Sequence, residues 1–364
     1  YWDIDANMLS GTLPTELGLL TTLEVLWLSR NSFTGRIPPG AFNWTRIRDL
    51  YLFENSLTGP LPDMGLYTEA EKIDLVKNQL SGEIPTSIGA LAKIDLLYLW
   101  RNNLAGTIPT ELGLLTTVRF LWFDSNRLVG SIPTEIGGMS SIRNLQLDTN
   151  DLTGTIPTEI GNLTTVQIIS LNGNLLTGTM PSEVGLLSQL ANWNVNTNEL
   201  RGTIPLEYAN LTGLETFDLM GNNFSDILQP SILSSFTSVA TLDLSSNSFR
   251  GSIPTEIGLM TSLNSLNLGN NLLIGPLPDT LGNCVNLGEL VLGNNDFTGT
   301  LPLNLTDLTD LANLRIENNA FFGNVTSGVC GIINASQGQL YADCGEINCP
   351  CCTHCCFRAT CAPV

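Results

Sequence analysis

Residues 263–278 read LNSLNLGNNLLIGPLP, and their pattern determines the predicted architecture. Leu266 and Leu268 alternate with polar residues, as in a short strand that turns one face inward. Asn271 follows the strand, and the glycine and prolines that close the phrase favour turns. The stretch therefore predicts a short strand that enters a turn at an asparagine.

The second half of this phrase, N-x-L-x-G-x-I-P, returns along nearly the whole chain. The step is 24 residues, except for one of 23 and one of 25. Such a period indicates a repeat architecture, in which each coil buries its apolar residues only by stacking on its neighbours. We expect each anchor asparagine to turn inward and bond backbone groups of the turn. Fourteen asparagines anchor the copies: Asn7, Asn31, Asn55, Asn78, Asn102, Asn126, Asn150, Asn174, Asn198, Asn222, Asn247, Asn271, Asn295 and Asn319.

The full consensus, L-x-x-L-x-L-x-x-N-x-L-x-G-x-I-P, resembles the plant-type leucine-rich repeat over about residues 1–326. That family includes ectodomains of receptor-like kinases and receptor-like proteins, and secreted inhibitors of polygalacturonases. The resemblance implies an α/β solenoid, a right-handed superhelix with a concave parallel β-sheet and about 14 repeats of 24 residues. It also implies short 3-10 or α turns, second short strands on the other side, and extracellular recognition, usually on the concave side.

The chain departs from this pattern in places. Asp226 replaces the glycine of one copy, and the paired-cysteine cap that usually precedes such repeats is missing. No signal peptide precedes Tyr1, which already lies within a repeat, so we expect a processed or trimmed fragment. Membrane attachment would need an anchor outside this chain.

The composition excludes several classes of protein. The 364 residues carry a formal net charge of −19, and only 15 of them are lysine or arginine. This balance lacks the basic surface of a nucleic-acid-binding protein. No apolar run reaches the roughly 18–20 residues that a membrane helix needs. The hydrophobic share of 43% is ample for a core.

Eight of the nine cysteines crowd into residues 327–364, which we predict to form a cysteine-rich, disulfide-bonded C-terminal cap. Eight cysteines allow about a hundred pairings, so none is assigned. The alternative is a zinc cluster that includes His354. The ninth, Cys284, is predicted to be a buried free thiol. This ending also resembles secreted leucine-rich-repeat proteins of diatoms. The predicted cap cysteines are Cys330, Cys344, Cys349, Cys351, Cys352, Cys355, Cys356 and Cys361.

Seven N-x-S/T sequons indicate a secretory route and a glycoprotein. None falls on an outward position of a first strand, so glycans would leave the concave face open. We expect a protein that is secreted or held on the extracellular face of the plasma membrane or cell wall. The sequons are at Asn43, Asn162, Asn210, Asn223, Asn304, Asn324 and Asn334.

Outward positions of the first strands are unusually aromatic and basic in the early coils. Three of the six tryptophans are expected to be exposed there, and Val76, Asp124 and Ser245 should face solvent at equivalent positions. Exposed aromatics beside arginines are typical of binding hot spots, although neighbouring rings can also merely shield one another along a sheet. The predicted ligand-binding residues are Trp27, Arg30, Tyr51, Phe53, Lys72, Lys77, Tyr98, Trp100, Arg101, Phe120 and Trp122.

Catalysis is not expected. The only histidine lies in the predicted cap, and no phosphate-binding or H-E-x-x-H motif appears. We predict no cofactor and no metal. The leading hypothesis is an extracellular module that binds a protein, peptide or polysaccharide on the concave face, with apolar or sugar-ring surface and some negative charge in the ligand. The alternatives are a secreted inhibitor of a microbial hydrolase and a structural or adhesive protein of the cell wall or matrix that self-associates.

Overall fold

The computed structural model describes residues 1–38, 43–357 and 360–363. The chain forms two compact units, Tyr1–Thr177 and Gly178–Val364. Each unit is a stack of coils in which a short first strand enters a turn at the anchor asparagine and continues into a second short strand. A single helical turn follows in most coils. This architecture confirms the predicted leucine-rich-repeat solenoid.

In the N-terminal unit, first strands pair in parallel and in register from coil to coil. They are β1 (Trp2–Asp3), β3 (Val25–Trp27), β5 (Asp49–Tyr51), β7 (Lys72–Asp74), β9 (Leu96–Tyr98), β11 (Phe120–Trp122), β13 (Asn144–Gln146) and β15 (Ile168–Ser170). The second strands, also parallel, are β2 (Ser10–Thr12), β4 (Ser32–Arg36), β6 (Ser56–Gly59), β8 (Gln79–Gly82), β10 (Asn103–Thr107), β12 (Arg127–Gly130), β14 (Asp151–Gly154) and β16 (Leu175–Gly178). The 3-10 helices include Thr15–Leu19, Thr86–Ala90, Thr110–Leu114, Thr134–Gly138 and Thr158–Asn162.

The C-terminal unit repeats this plan. Its first strands are β17 (Asn192–Asn194), β19 (Thr216–Asp218), β21 (Thr241–Asp243), β23 (Ser265–Asn267), β25 (Glu289–Val291) and β27 (Asn313–Arg315). Its second strands are β18 (Glu199–Gly202), β20 (Asn223–Phe224), β22 (Arg250–Gly251), β24 (Leu272–Gly275), β26 (Asp296–Gly299), β28 (Ala320–Phe321) and β29 (Gly323–Asn324). The 3-10 helices include Ser182–Leu186, Leu206–Asn210, Thr255–Leu259, Asp279–Asn283 and Leu303–Asp307. A short α-helix, α1 (Pro230–Ser235), takes their place in the 25-residue coil.

Inward side chains of consecutive strands form continuous apolar ladders. In the N-terminal unit, the middle residues of β3, β5, β7 and β9 are Leu26, Leu50, Ile73 and Leu97, and each is at most 1% exposed. The strands pair in register, so each leucine or isoleucine stacks on its equivalent in the next coil. Burial of this surface stabilises the stack by about 25 cal/mol per Å², and a single coil could not provide it.

The anchor asparagines bond as predicted. Asn102 is 7% exposed. Its Nδ2 donates to the carbonyls of Leu75 and Leu99, both at 3.0 Å. Its Oδ1 accepts the N–H of Leu80 at 3.0 Å. One side chain therefore satisfies backbone groups in its own coil and in the preceding coil, and the same pattern recurs at other anchors.

The residue just before each anchor carries a left-handed backbone. Glycine holds this position at Gly173, with φ of 62°, but Arg30, Lys77 and Arg101 adopt it as well, with φ of 51–52°. This conformation is sterically unfavourable for an L-residue. The hydrogen bonds of the anchor asparagine offset that cost. The turn thus fixes three of the predicted basic ligand-binding residues at the end of the outward strand face.

The predicted cap contains α2 (Ser327–Ala335) and strands β30 (Gln339–Ala342), β31 (Ile347–Asn348), β32 (His354–Phe357) and β33 (Thr360–Pro363). Strand β30 pairs in parallel with β27, and β32 pairs with both β30 and β33. The repeat sheet therefore continues into this segment before a hairpin ends it. Within the described ranges, no helix combines the length and apolarity required to cross a membrane.

Candidate ligand-binding face

Five side chains occupy equivalent positions at the ends of adjacent first strands. They stand on β3, β5, β7, β9 and β11, whose Cα atoms pair in register. We call them the central row. At a strand spacing of about 4.8 Å, the row is roughly 19 Å long. Its members are Trp27, Tyr51, Asp74, Tyr98 and Trp122.

The central row holds two aromatic pairs with a carboxylate between them. The rings of Trp27 and Tyr51 meet edge to face, with centroids 5.4 Å apart. The rings of Tyr98 and Trp122 lie nearly parallel, 8° apart in plane and 4.0 Å between centroids. Asp74 separates the pairs. Such contacts stabilise each pair by about 0.5–1.5 kcal/mol beyond area burial, and they hold the rings in fixed orientations.

The exposure of the tryptophans was overestimated from the sequence. Trp27, Trp100 and Trp122 are half-buried rather than fully exposed. The indole Nε1 atoms of Trp27 and Trp122 are buried and have no acceptor within the described part of the chain. These rings therefore offer a ligand their faces and edges but not their N–H groups.

The next outward position was also predicted to face solvent, and there the prediction was wrong for three residues. Val76 is 6%, Asp124 9% and Ser245 4% exposed. Phe53 and Trp100 hold the equivalent position in the coils on either side of Val76, so larger side chains flank a smaller one there. Sequence position gives the direction of a side chain, whereas its exposure depends on the size of its neighbours.

Seven aromatic residues line this side of the N-terminal unit, and we call them the aromatic face. Trp100 interacts with two cations, Lys77 at 5.7 Å and Arg101 at 5.0 Å from its ring. Phe120 has Arg119 5.8 Å from its ring centroid. The members of the aromatic face are Trp27, Tyr51, Phe53, Tyr98, Trp100, Phe120 and Trp122.

Much of the positive charge on this face is already paired. Arg30 forms an ion pair with Asp5 and lies 5.8 Å from the ring of Phe53. Lys77 pairs with Glu54 at 2.6 Å. Lys72 and Arg101 form no ion pair with any residue that the structure describes. The expectation that the face is basic is therefore corrected, because two of its four predicted cations are neutralised internally.

Two carboxylates of this face, Asp74 and Asp124, were not predicted as site residues from the sequence. Burial raises the pKa of Asp74 to about 6, assisted by the nearby charge of Glu54. Burial also raises the pKa of Asp124 to about 6, assisted by Asp148 and opposed by Arg101. The sequence contained a signal for Asp74, since it holds the same repeat position as Tyr51 and Tyr98 in the coils on either side.

The structure leaves the sequons accessible. All seven asparagines are exposed. Asn162 and Asn210 end 3-10 helices, Asn304 lies within one, and Asn334 lies in α2. Asn43, Asn223 and Asn324 complete the set, the last two in second strands. No sequon lies in a first strand, so the aromatic face carries none.

The cysteines of the predicted cap form four disulfides. They join Cys330 to Cys351, Cys344 to Cys355, Cys349 to Cys352, and Cys356 to Cys361. Thiols in disulfides cannot ligate zinc, and no group of metal-binding side chains occurs in the described ranges. His354 stacks on Tyr341 at 4.1 Å instead. Cys284 is free and buried, as predicted.

Comparison with known proteins agrees with this architecture. The Leucine Rich Repeat family model matches residues 22–44, 141–163, 238–260 and 262–284. The LRR ectodomain of the plant membrane receptor kinase GASSHO1/SCHENGEN3 from Arabidopsis thaliana, solved with CASPARIAN STRIP INTEGRITY FACTOR 2, superposes with a TM-score of 0.79 at 32% identity. That match covers 93% of this chain and 43% of that one.

Two further structures are similar. A TDR receptor gives a TM-score of 0.87 at 30% identity over 95% of this chain and 59% of that one. The LRR ectodomain of the Arabidopsis receptor kinase HAESA, solved with an N-terminally extended IDA peptide hormone ligand, gives 0.74 at 28% identity over 99% and 63%. The chain thus spans less than two thirds of each of the three.

No curated protein is significantly similar to the chain in sequence. The likeness to leucine-rich-repeat proteins therefore rests on the family model, on the three receptor structures and on the repeat geometry itself. The chain therefore carries leucine-rich repeats and folds as a leucine-rich-repeat solenoid similar to those of plant receptor ectodomains.

Proposed function

We propose that the chain is an extracellular recognition module that binds a peptide or protein ligand on the aromatic face. The observation that carries this proposal is the row of half-exposed rings on β3, β5, β9 and β11. The apolar core of the unit is complete without them, so packing does not require aromatic residues at these outward positions. Rigid aromatic side chains supply contact area with little loss of conformational entropy.

Two further observations support an extracellular peptide receptor or receptor-like module. Three similar structures are receptors, and two of these, both from Arabidopsis, were solved with a bound factor or peptide hormone. The four disulfides and seven exposed sequons suit an oxidising, secretory route. The proposed activity is binding without chemistry, and His354 is assigned a structural role, because its ring stacks on Tyr341 and its Nδ1 contacts the hydroxyl of the adjacent Thr353.

Affinity capture from the native extracellular fraction tests this proposal. The parent is compared with a Tyr98→Ala/Trp100→Ala variant and with Phe322→Ala, which removes a 57% exposed ring from the C-terminal unit. Melting curves check that all three proteins are folded. We expect a peptide or protein that the parent and Phe322→Ala retain and the double variant loses.

Other outcomes decide against the proposal. Equal capture by a folded double variant would remove the ligand from the aromatic face. A hydrolase that the parent retains and the double variant loses would favour the inhibitor alternative. A polysaccharide retained in the same way would mean that the ligand is a polysaccharide rather than a peptide or protein. Capture of further copies of this chain alone, with matching dimers in sedimentation experiments, would favour the adhesive alternative.

A further inference from the structure

Asp74 is a carboxylate without a cationic partner inside an aromatic setting. It stands between Tyr51 and Tyr98 in the central row. Its Oδ1 accepts the N–H of Val76 at 3.2 Å. No side chain among the described residues donates a hydrogen bond to it or forms an ion pair with it, and Lys77 is engaged with Glu54.

Asp124 is a second such carboxylate, and it is more deeply buried. It is 9% exposed, and its Oδ1 is buried without a donor among the described residues. Its Oδ2 accepts the hydroxyl of Ser125 at 3.3 Å. The N–H of Arg101 bonds the carbonyl of Asp124 at 3.3 Å, so the coil of Trp100 lies directly beside it. A buried charged oxygen without a donor is costly, and a ligand that supplies the donor recovers that cost.

The groups that face these two carboxylates leave their charge uncompensated. Asp49 lies on the flanking strand β5, and Lys72 lies on the strand of Asp74 itself. Glu54 and Asp95 lie in the flanking coils, where they pair with Lys77 and Arg119. Asp124 has Asp148 on one side and Arg101 on the other. The local balance is acidic, in contrast to the anionic ligand that the sequence suggested.

An anion framed by aromatic rings suits an ammonium or guanidinium group on an alkyl stem. The cation bonds the carboxylate, and both the cation and its stem rest on the rings. Tyr98, at the end of β9, and Trp100 lie in the coil between those of the two carboxylates. A basic side chain of a peptide has both parts.

The spacing of the two carboxylates defines the ligand further. They are separated by two strand spacings across the sheet and by two residues along the strand direction, which together correspond to about 12 Å. An extended peptide advances about 3.3 Å per residue, so cationic side chains three or four residues apart match that distance.

We propose that the ligand of the aromatic face is a basic peptide segment with two cationic groups about 12 Å apart, one on Asp74 and one on Asp124. This proposal rests on the proposed function. It adds the sign and the spacing of the charges that the site accepts, and it assigns Asp74 and Asp124 as binding residues.

Calorimetric titration with defined peptides tests the proposal at 0.15 M salt, where non-specific attraction to an acidic chain is screened. The probe is a five-residue peptide, acetylated and amidated, with lysine first and last and alanine, serine and alanine between. Its controls replace both lysines by norleucine or by glutamate. A further control, norleucine first with an unblocked amino terminus, separates a terminal ammonium from a side chain.

The protein variants are Asp74→Asn, Asp124→Asn and the matched control Asp151→Asn, which removes one exposed charge from second strand β14. We expect each of the first two to weaken lysine-peptide binding about fivefold to tenfold, and Asp151→Asn to leave it unchanged. The affinity of the parent should also fall as the pH drops from 7.5 to 5, because Asp74 and Asp124 take up protons.

Equal weakening by all three variants, or equal affinity for the norleucine peptide, would overturn the proposal. Its failure is distinguishable from failure of the proposed function. A natural ligand lost by Tyr98→Ala/Trp100→Ala but bound normally by Asp74→Asn and Asp124→Asn would keep the aromatic face and discard its preference for cations.

Discussion

Replacing one anchor asparagine should destabilise the N-terminal unit strongly. Asn102→Ala removes three hydrogen bonds of 3.0 Å. It leaves the N–H of Leu80 without a partner, whereas the carbonyls of Leu75 and Leu99 keep the amides of Asn78 and Asn126. Each of the two bonds to a carbonyl contributes about 1 kcal/mol, and the stranded buried N–H costs about 1–3 kcal/mol. We therefore expect the free energy of unfolding to fall by about 3–5 kcal/mol.

Urea denaturation followed by circular dichroism measures this effect. Hydrogen exchange in the coils of Leu80 and Asn102 shows whether the loss is local, because repeat stacks can open in parts. The control is Asn103→Ala, a half-buried neighbour in β10 whose side chain has no hydrogen bond within the described structure. It should change the stability by about 0.5 kcal/mol or less. A loss below about 1 kcal/mol for Asn102→Ala, or equal losses for both, would refute the role of the anchor.

Three further predictions concern buried acids and cysteines. Burial holds the folded-state pKa of Asp74 and Asp124 at about 6, above the unfolded value. The two carboxyl groups therefore make their full contribution to the stability of the folded state below about pH 4, where they are protonated. This contribution is lost as the pH rises through 6, and the free energy of unfolding falls by up to about 2 kcal/mol per group after allowing for partial exposure. In the double variant Asp74→Asn/Asp124→Asn, the free energy of unfolding measured with urea should depend less on pH between pH 4 and 7 than it does in the parent. Burial raises the pKa of Cys284 to about 11, so its thiol should resist a disulfide reagent at pH 8 until urea unfolds the chain. Cys330→Ser/Cys351→Ser opens a disulfide with a sequence separation of 21 and should lower stability by about 3 kcal/mol, seen as a lower Tm.

The repeat geometry could be predicted from the sequence because it is local and periodic. A strand of three residues, an inward asparagine and a second strand recur at a fixed step, and each coil meets only its neighbours. The pairing of cysteines could not be predicted, because it depends on how α2 and strands β30–β33 bring distant residues together. Cys330 and Cys351 are an example.

The aromatic face was predicted in position but not in exposure or charge. Trp27 is shielded by Tyr1 and Tyr51, whose rings lie 5.9 and 5.4 Å away. The pairing of Glu54 with Lys77 follows from their equivalent positions in consecutive coils, so the sequence contained the information.

Photo-cross-linking shows whether a ligand occupies the outward face of β3–β11. A photo-reactive residue replaces Gln146, which pairs in register with Trp122 at the border of the aromatic face. The control places the same group at Asp151, exposed in β14 of the same coil. After irradiation in the native extracellular fraction, we predict a ligand adduct from position 146 and none from position 151. An adduct from position 151 alone, or from both positions equally, would show that the ligand does not bind specifically to the outward face of β3–β11.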